Sequence, residues 1–125
     1  MAVVLIVEDE KQVRVLAESF LQEAGHETRS AGTTAEALAI IESDQQIDLL
    51  FIDMALLDGH EAGLELAQTA TKARPGLPVI YTTGRGITDG MIALFTQPNG
   101  FLAKPYTGPQ LLTAVANLLP TRRRS

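Results

Sequence analysis

Asp48-Leu49-Leu50-Phe51-Ile52-Asp53 is a short apolar run closed at each end by a carboxylate. Such a run is too short for an ordinary helix and suits a strand buried on both faces, as in a parallel sheet. Asp53 then stands at the strand's carboxyl end, the edge of an open α/β sheet where loops diverge and ligands gather. The first apolar run, Val3-Val4-Leu5-Ile6-Val7, ends in the same manner on Glu8-Asp9. Carboxylates from two strand ends therefore converge in this reading. Converging carboxylates repel one another unless a cation lies among them, most simply a hard divalent ion with oxygen ligands. Solvated acids at strand ends are the alternative that these residues leave open.

Outward from that run, strands and helices alternate. On the N-terminal side, Val13, Leu16, Ala17, Phe20, Leu21 and Ala24 recur at helical spacing, and Gly25 is placed to close the helix in a left-handed conformation. Glu27 to Ser30 reads as a polar edge strand, and Thr33-Thr34-Ala35-Glu36 as a capping box opening a helix with Leu38 and Ile41 inside. On the C-terminal side, Asp58-Gly59 marks a turn, after which Gly63, Leu66, Ala67 and Ala70 give a third helix a small-residue face suited to close packing on the sheet. Pro75-Gly76-Leu77-Pro78 breaks that helix, and Val79-Ile80-Tyr81-Thr82-Thr83 is a fourth strand ending on hydroxyls. Ile87, Met91, Leu94 and Phe95 suggest a short fourth helix, weakened by Gly90 and stopped by Gln97-Pro98-Asn99-Gly100. A last strand, Phe101-Leu102-Ala103, runs into Lys104-Pro105. Thr107 with Gln110 then forms a second capping box, and Leu111, Leu112, Val115, Ala116 and Leu119 stripe the final helix before Pro120.

Strands alternating with helices imply right-handed crossovers and a parallel sheet covered on both faces. Five strands suit a flavodoxin-like, three-layer α/β fold with five helices and strand order 2-1-3-4-5. In that order Glu8-Asp9, Asp53 and Thr83 are neighbours at one edge, with Lys104 beside them. These groups suit phosphoryl transfer to a carboxylate: Asp53 as nucleophile, Glu8 and Asp9 as ligands of Mg²⁺, Lys104 as the cation on a phosphoryl oxygen and Thr83 as hydroxyl donor.

Bulk properties narrow the function classes. At 125 residues, 46% apolar and 20% charged, the chain suits one soluble domain with a single core. No apolar run approaches the ~20 residues of a membrane span, and no basic stretch precedes the first apolar run, which together suggest a cytoplasmic location. The absence of cysteine excludes disulfides, thiolate nucleophiles and zinc–thiolate sites. A net charge of -5 disfavours direct binding of nucleic acid, and Arg122-Arg123-Arg124 reads as a solvated basic tail.

The sequence resembles the receiver domains of two-component response regulators. The resemblance spans residues 3 to about 119 and rests on four stretches in order: Val7-Glu8-Asp9-Glu10, Leu49-Leu50-Phe51-Ile52-Asp53, Thr83-Gly84 and Phe101-Leu102-Ala103-Lys104-Pro105. It implies a receiver domain over residues 1–120, a tail over 121–125, and Asp53 as phosphoacceptor. It further implies Mg²⁺ held by Glu8, Asp9, Asp53 and the backbone carbonyl of Ala55, with Thr83 and Lys104 on the phosphoryl group. Phe101 matches a switch aromatic. The implied partners are a histidine kinase or histidine phosphotransfer protein, a downstream protein met through the fourth helix, fifth strand and fifth helix, and a second copy in a homodimer; neither a membrane nor nucleic acid is expected. Leu57 stands where receivers commonly carry proline, the loop Asp58-Gly59-His60-Glu61-Ala62-Gly63 departs from the usual pattern, and His60 belongs to no motif. Three other readings share parts of the pattern. A Mg²⁺-dependent phosphohydrolase with an aspartate nucleophile is disfavoured by Asp53-Met54-Ala55, which lacks a second acid. A flavin or nucleotide module is disfavoured because no strand leads into a glycine-rich loop. A phosphorylation-inactive, receiver-like interaction domain is disfavoured by the complete acid set.

Overall fold

The computed structural model describes residues 2–55, 62–84 and 89–119. Its elements alternate along the chain: β1 (Val3–Val7), α1 (Lys11–Glu23), β2 (Glu27–Ala31), α2 (Thr34–Glu42), β3 (Leu49–Asp53), α3 (Ala62–Ala73), β4 (Val79–Thr83), α4 (Asp89–Ala93), β5 (Asn99–Ala103) and α5 (Gly108–Leu118). The strands form one parallel sheet in the order β2-β1-β3-β4-β5. β1, β3 and β4 are buried along their whole length, as near-continuous apolar runs demand when helices cover both faces. Polar β2 lies at one edge.

Strand alternation sorts the core into two layers. Val4, Ile6, Leu49, Phe51 and Ile80 pack with Ala17 and Leu21 of α1 and with Leu111 and Val115 of α5. Leu5, Val7, Leu50, Ile52, Val79 and Tyr81 face the other way, against Ala37 and Ile41 of α2 and Leu64, Ala67 and Ala70 of α3. The small-residue face of α3 acts as its sequence implies. A Cβ built on Gly63 would lie 2.2 Å from the Asp53 carbonyl oxygen and 2.6 Å from Met54 Cα, so this helix begins in backbone contact with the end of β3.

The helix ends follow their capping residues. Gly25 adopts φ 94°, its N–H bonds the Gln22 carbonyl at 3.0 Å and the His26 N–H bonds the Leu21 carbonyl at 3.0 Å, a Schellman closure of α1. Thr107 and Gln110 form the reciprocal box at the start of α5. At α2 only half of the expected box exists. Thr33 accepts from the Glu36 N–H, but the Glu36 carboxylate turns to the Gly32 N–H at 2.7 Å, one residue before the cap. It can do so because its acceptor oxygen satisfies either free N–H ahead of the helix.

Leu16, expected inside, is 51% exposed, and Ala24 and Ala116 are also exposed. Leu16 lies roughly a quarter turn from the centre of the stripe made by Val13, Ala17, Phe20 and Leu21, and a helix laid on a sheet buries only a narrow stripe. In α5, Ala114 and Leu118 pack against the core in place of Ala116. Leu94 and Phe95 follow the end of α4 rather than lying in it; Leu94 is exposed and Phe95 buried. The expected turn at Asp58-Gly59, along with Leu57, His60, Arg85, Gly86, Ile87, Pro120 and the arginine tail, lies outside the described residues.

Candidate functional site

Two residues beyond the last inward positions of β1 and β3, on the same face, come Glu8 and Asp53; two beyond Ile80 on β4 comes Thr82. The pairing of Val7 with Ile52 and of Asp53 with Thr82 sets these side chains in one row at the sheet's carboxyl edge. Glu8, Asp53, Thr82 and Thr83 are the buried polar or charged residues among those described. Lys104, immediately after β5, reaches back across the end of β4. Its Nζ lies 2.8 Å from Glu8 Oε1, 3.0 Å from Asp53 Oδ2 and 3.9 Å from Glu10 Oε1.

Local hydrogen bonds hold the Asp53 and Glu8 carboxylates. Asp53 Oδ1 accepts from the Ala55 N–H at 3.0 Å, and Glu8 Oε2 accepts from the Glu10 N–H at 3.1 Å. Arg14 Nη1 donates to the Glu8 carbonyl at 2.8 Å, which ties α1 to the loop that carries the acids. On the opposite side of β3, the Gly63 N–H donates to the Met54 carbonyl at 3.1 Å.

Electrostatics follow from burial. Loss of water pushes Glu8 up to about 7; the Lys104 hydrogen bond and the Glu10 N–H pull it down, and the Asp53 charge adds to the rise. Burial also works against the Lys104 ammonium, but hydrogen bonds and charge from Glu8 and Asp53 outweigh it and hold Lys104 above its ordinary value. Tyr106, edge-on to Phe51 with ring centroids 5.7 Å apart, is pushed up to about 12 by burial and then by the Glu8 charge.

Glu8, Asp9 and Asp53 each offer a carboxylate oxygen within 4.8 Å of the others, an all-oxygen donor set of the kind that hard divalent cations take. The predicted residues therefore come together. Glu8, Asp9, Asp53 and Lys104 share one site, with Ala55 beside Asp53. Thr83 ends β4, buried, and its carbonyl accepts the Lys104 N–H at 3.0 Å; by alternation it begins the next pleat, the one that carries Met54. Sequence reasoning missed Arg14, Tyr106 and Thr82. Tyr106 directly follows Lys104-Pro105 and could have been suspected from that position. Arg14 carried no signal, because its role depends on where α1 lies against the β1 loop.

Comparison with known proteins points to one family. The chain is 37% identical over 119 residues to the response regulator protein PilR of Pseudomonas aeruginosa, covering 94% of this chain and 26% of PilR. It is 30% identical over 121 residues to the nitrogen assimilation regulatory protein NtrX of Azorhizobium caulinodans, covering 96% of this chain and 26% of that protein. The chain thus spans about a quarter of the length of these curated relatives. A response regulator receiver protein from Sinorhizobium medicae superposes with a TM-score of 0.84 at 26% identity, covering 94% of this chain and 93% of that one. The family described as the response regulator receiver domain matches residues 4–116, which favours neither the phosphohydrolase nor the flavin reading. With the fold, the acid row and this match in agreement, the chain belongs to the receiver domains of two-component response regulators.

Proposed function

We propose that Asp53 is the phosphoacceptor of this receiver and that the chain catalyses its own phosphorylation and dephosphorylation. The observation that carries the reading is the single ammonium of Lys104 bridging Glu8 and Asp53 at the carboxyl edge of the sheet. An Asp53 oxygen attacks phosphorus, the bond from phosphorus to the donor histidine nitrogen breaks, and that nitrogen keeps the electron pair. Glu8, Asp9, Asp53 and the Ala55 carbonyl would hold Mg²⁺, which would supply charge neutralisation for an anion approaching an anion. Lys104 moves from the carboxylates to a phosphoryl oxygen, and Thr83 donates its hydroxyl to another. Each interaction strengthens as the three equatorial oxygens gain charge.

Receiver domains work with histidine kinases, so a histidine kinase or a histidine phosphotransfer protein is the donor here. The reader is a protein that meets α4, β5 and α5, or a second copy of the chain. Asp89–Ala93 has no buried residue, and Ile92, Leu94 and Phe101 expose apolar surface on that side, which supports the assignment. Location in the cytoplasm agrees with these partners; no described helix is long and apolar enough to cross a membrane.

The test is intact mass after incubation with acetyl phosphate, with and without Mg²⁺. Wild type is expected to gain one phosphoryl group only with Mg²⁺, and Asp53→Asn none. Unchanged phosphorylation of Asp53→Asn would move the acceptor elsewhere.

A further inference from the structure

Thr82 is 2% exposed, and its Oγ1 is the buried side-chain polar atom left without a hydrogen-bond partner among the described residues. Buried hydroxyls are almost always paired, because leaving one unpaired forfeits its hydration with no return. Its position is informative. Thr82 is the lateral partner of Asp53 in the sheet register and continues the pleat of Ile80, so its side chain stands on the same face as the Asp53 carboxylate. On its other side it pairs with Leu102, two residues before Lys104. The lysine stem therefore crosses the end of β4 above Thr82 on its way to Asp53 and Glu8. In this state both Asp53 oxygens already have donors, the Ala55 N–H on Oδ1 and Lys104 on Oδ2.

We propose that Thr82 is a positioning residue for the acceptor: when Lys104 leaves Asp53 for a phosphoryl oxygen, the Thr82 hydroxyl donates to the Asp53 oxygen that the lysine vacates. The inference rests on the acceptor role proposed above for Asp53. Its consequence follows from where charge lies. In hydrolysis of the acyl phosphate, the oxygen of water bonds to phosphorus and the bond from phosphorus to the Asp53 oxygen breaks. The electron pair returns to the carboxylate, and both hydrogens of water leave with the inorganic phosphate. Asp53 gains negative charge in this step, so a donor on its oxygen stabilises the departing carboxylate more than the acyl phosphate. Thr82 therefore shortens the life of the phosphorylated state. Thr83, on the adjacent pleat, serves the phosphoryl oxygens and not this one.

The test uses Thr82→Val, which keeps the branched shape, and Thr82→Ser, which keeps the hydroxyl. Each is phosphorylated with acetyl phosphate and Mg²⁺, freed of donor, and its decay followed by intact mass. The phosphorylated half-life of Thr82→Val is expected to rise roughly three- to tenfold, the worth of one hydrogen bond, with Thr82→Ser returning to near wild type. Without Mg²⁺ or donor, Thr82→Val is expected to melt no lower than wild type, since no bond is lost. A half-life of Thr82→Val that is unchanged or shorter overturns the proposal. So does a metal-free Thr82→Val that melts well below wild type, because the hydroxyl would then have a partner in the free protein. If wild type itself gains no phosphoryl group, it is the reading of Asp53 as acceptor that fails, and this inference falls with it.

Discussion

At the scale of single residues, Glu8 shows how burial sets the behaviour of this site. Its carboxyl is raised to about 7 in the fold against 4.5 for the free group, chiefly by loss of water. A raised carboxylate favours the native state fully below the unfolded value and loses that contribution as pH climbs through the folded one. Metal-free protein should therefore lose stability between about pH 4.5 and 7 on account of Glu8. Glu8→Gln should flatten that slope and melt higher than wild type at pH 8, by about 1–3 kcal/mol in denaturant unfolding. His26 acts in the opposite sense. Its Nδ1 accepts the Ala2 N–H at 3.1 Å, and burial lowers it from 6.5, so its contribution is lost as pH falls below that value. The difference between wild type and Glu8→Gln removes the His26 contribution, and a difference that does not change with pH would contradict the assignment. Gly63 is a second such residue. Gly63→Ala forces a methyl group onto the backbone of Asp53 and Met54, and urea unfolding should show a loss of about 1–3 kcal/mol. Mg²⁺ affinity should fall with it, because the end of β3 must shift.

At the scale of elements, the shortest helix is α4, five residues containing Gly90, of which only Met91 is partly buried against the core. What holds its end is β4. Tyr81 stacks on Phe95 with centroids 3.9 Å apart, and its hydroxyl accepts the Thr96 N–H at 2.9 Å and pairs with the Thr96 hydroxyl at 3.0 Å. The fourth helix is thus anchored at its C-terminal side to the strand that carries Thr82 and Thr83. Tyr81→Phe keeps the stack and removes the polar contacts. It should cost about 1 kcal/mol and speed hydrogen exchange at the Thr96 amide while leaving amides of α1 unchanged. Exchange at Thr96 as slow as in wild type would mean that the aromatic stack alone holds the segment.

At the scale of the whole molecule, the acid edge should make stability depend on a cation. Binding to the native state alone stabilises by about 2.7 kcal/mol at a hundred times the dissociation constant, so Mg²⁺ should raise the melting temperature by several degrees. Asp9→Asn should melt higher than wild type without metal and lose the Mg²⁺ response; a lower melting point would show that crowding of carboxylates is not what the cation relieves. Coupling across the molecule should run through β4 and β5. Thr83 pairs with Ala103, and Phe101, 37% exposed, lies two residues earlier on the same face of β5. A beryllofluoride complex, standing in for the phosphoryl group, should therefore perturb amide signals from Thr83 to Phe95 and around Phe101 more than those of α1. Thr83→Ala should keep phosphorylation at Asp53 but shrink the shifts at Phe101. Phe101 signals that stay put in wild type would place the readout at the Asp53 loop.

The sequence by itself determined the alternation of strands and helices, the sheet order and the convergence of Glu8, Asp9, Asp53 and Lys104. Those follow from local rules: apolar runs too short for helices, caps such as Thr107 with Gln110, and the topology that parallel crossovers permit. Tertiary structure alone decided which flank of α1 met the sheet, leaving Leu16 in solvent, and which N–H the Glu36 carboxylate chose. It also decided that the hydroxyl beside Asp53 in the strand register is that of Thr82. Register and pleat depend on how two strands distant in sequence align, and a shift of one residue would have exchanged Thr82 for Thr83.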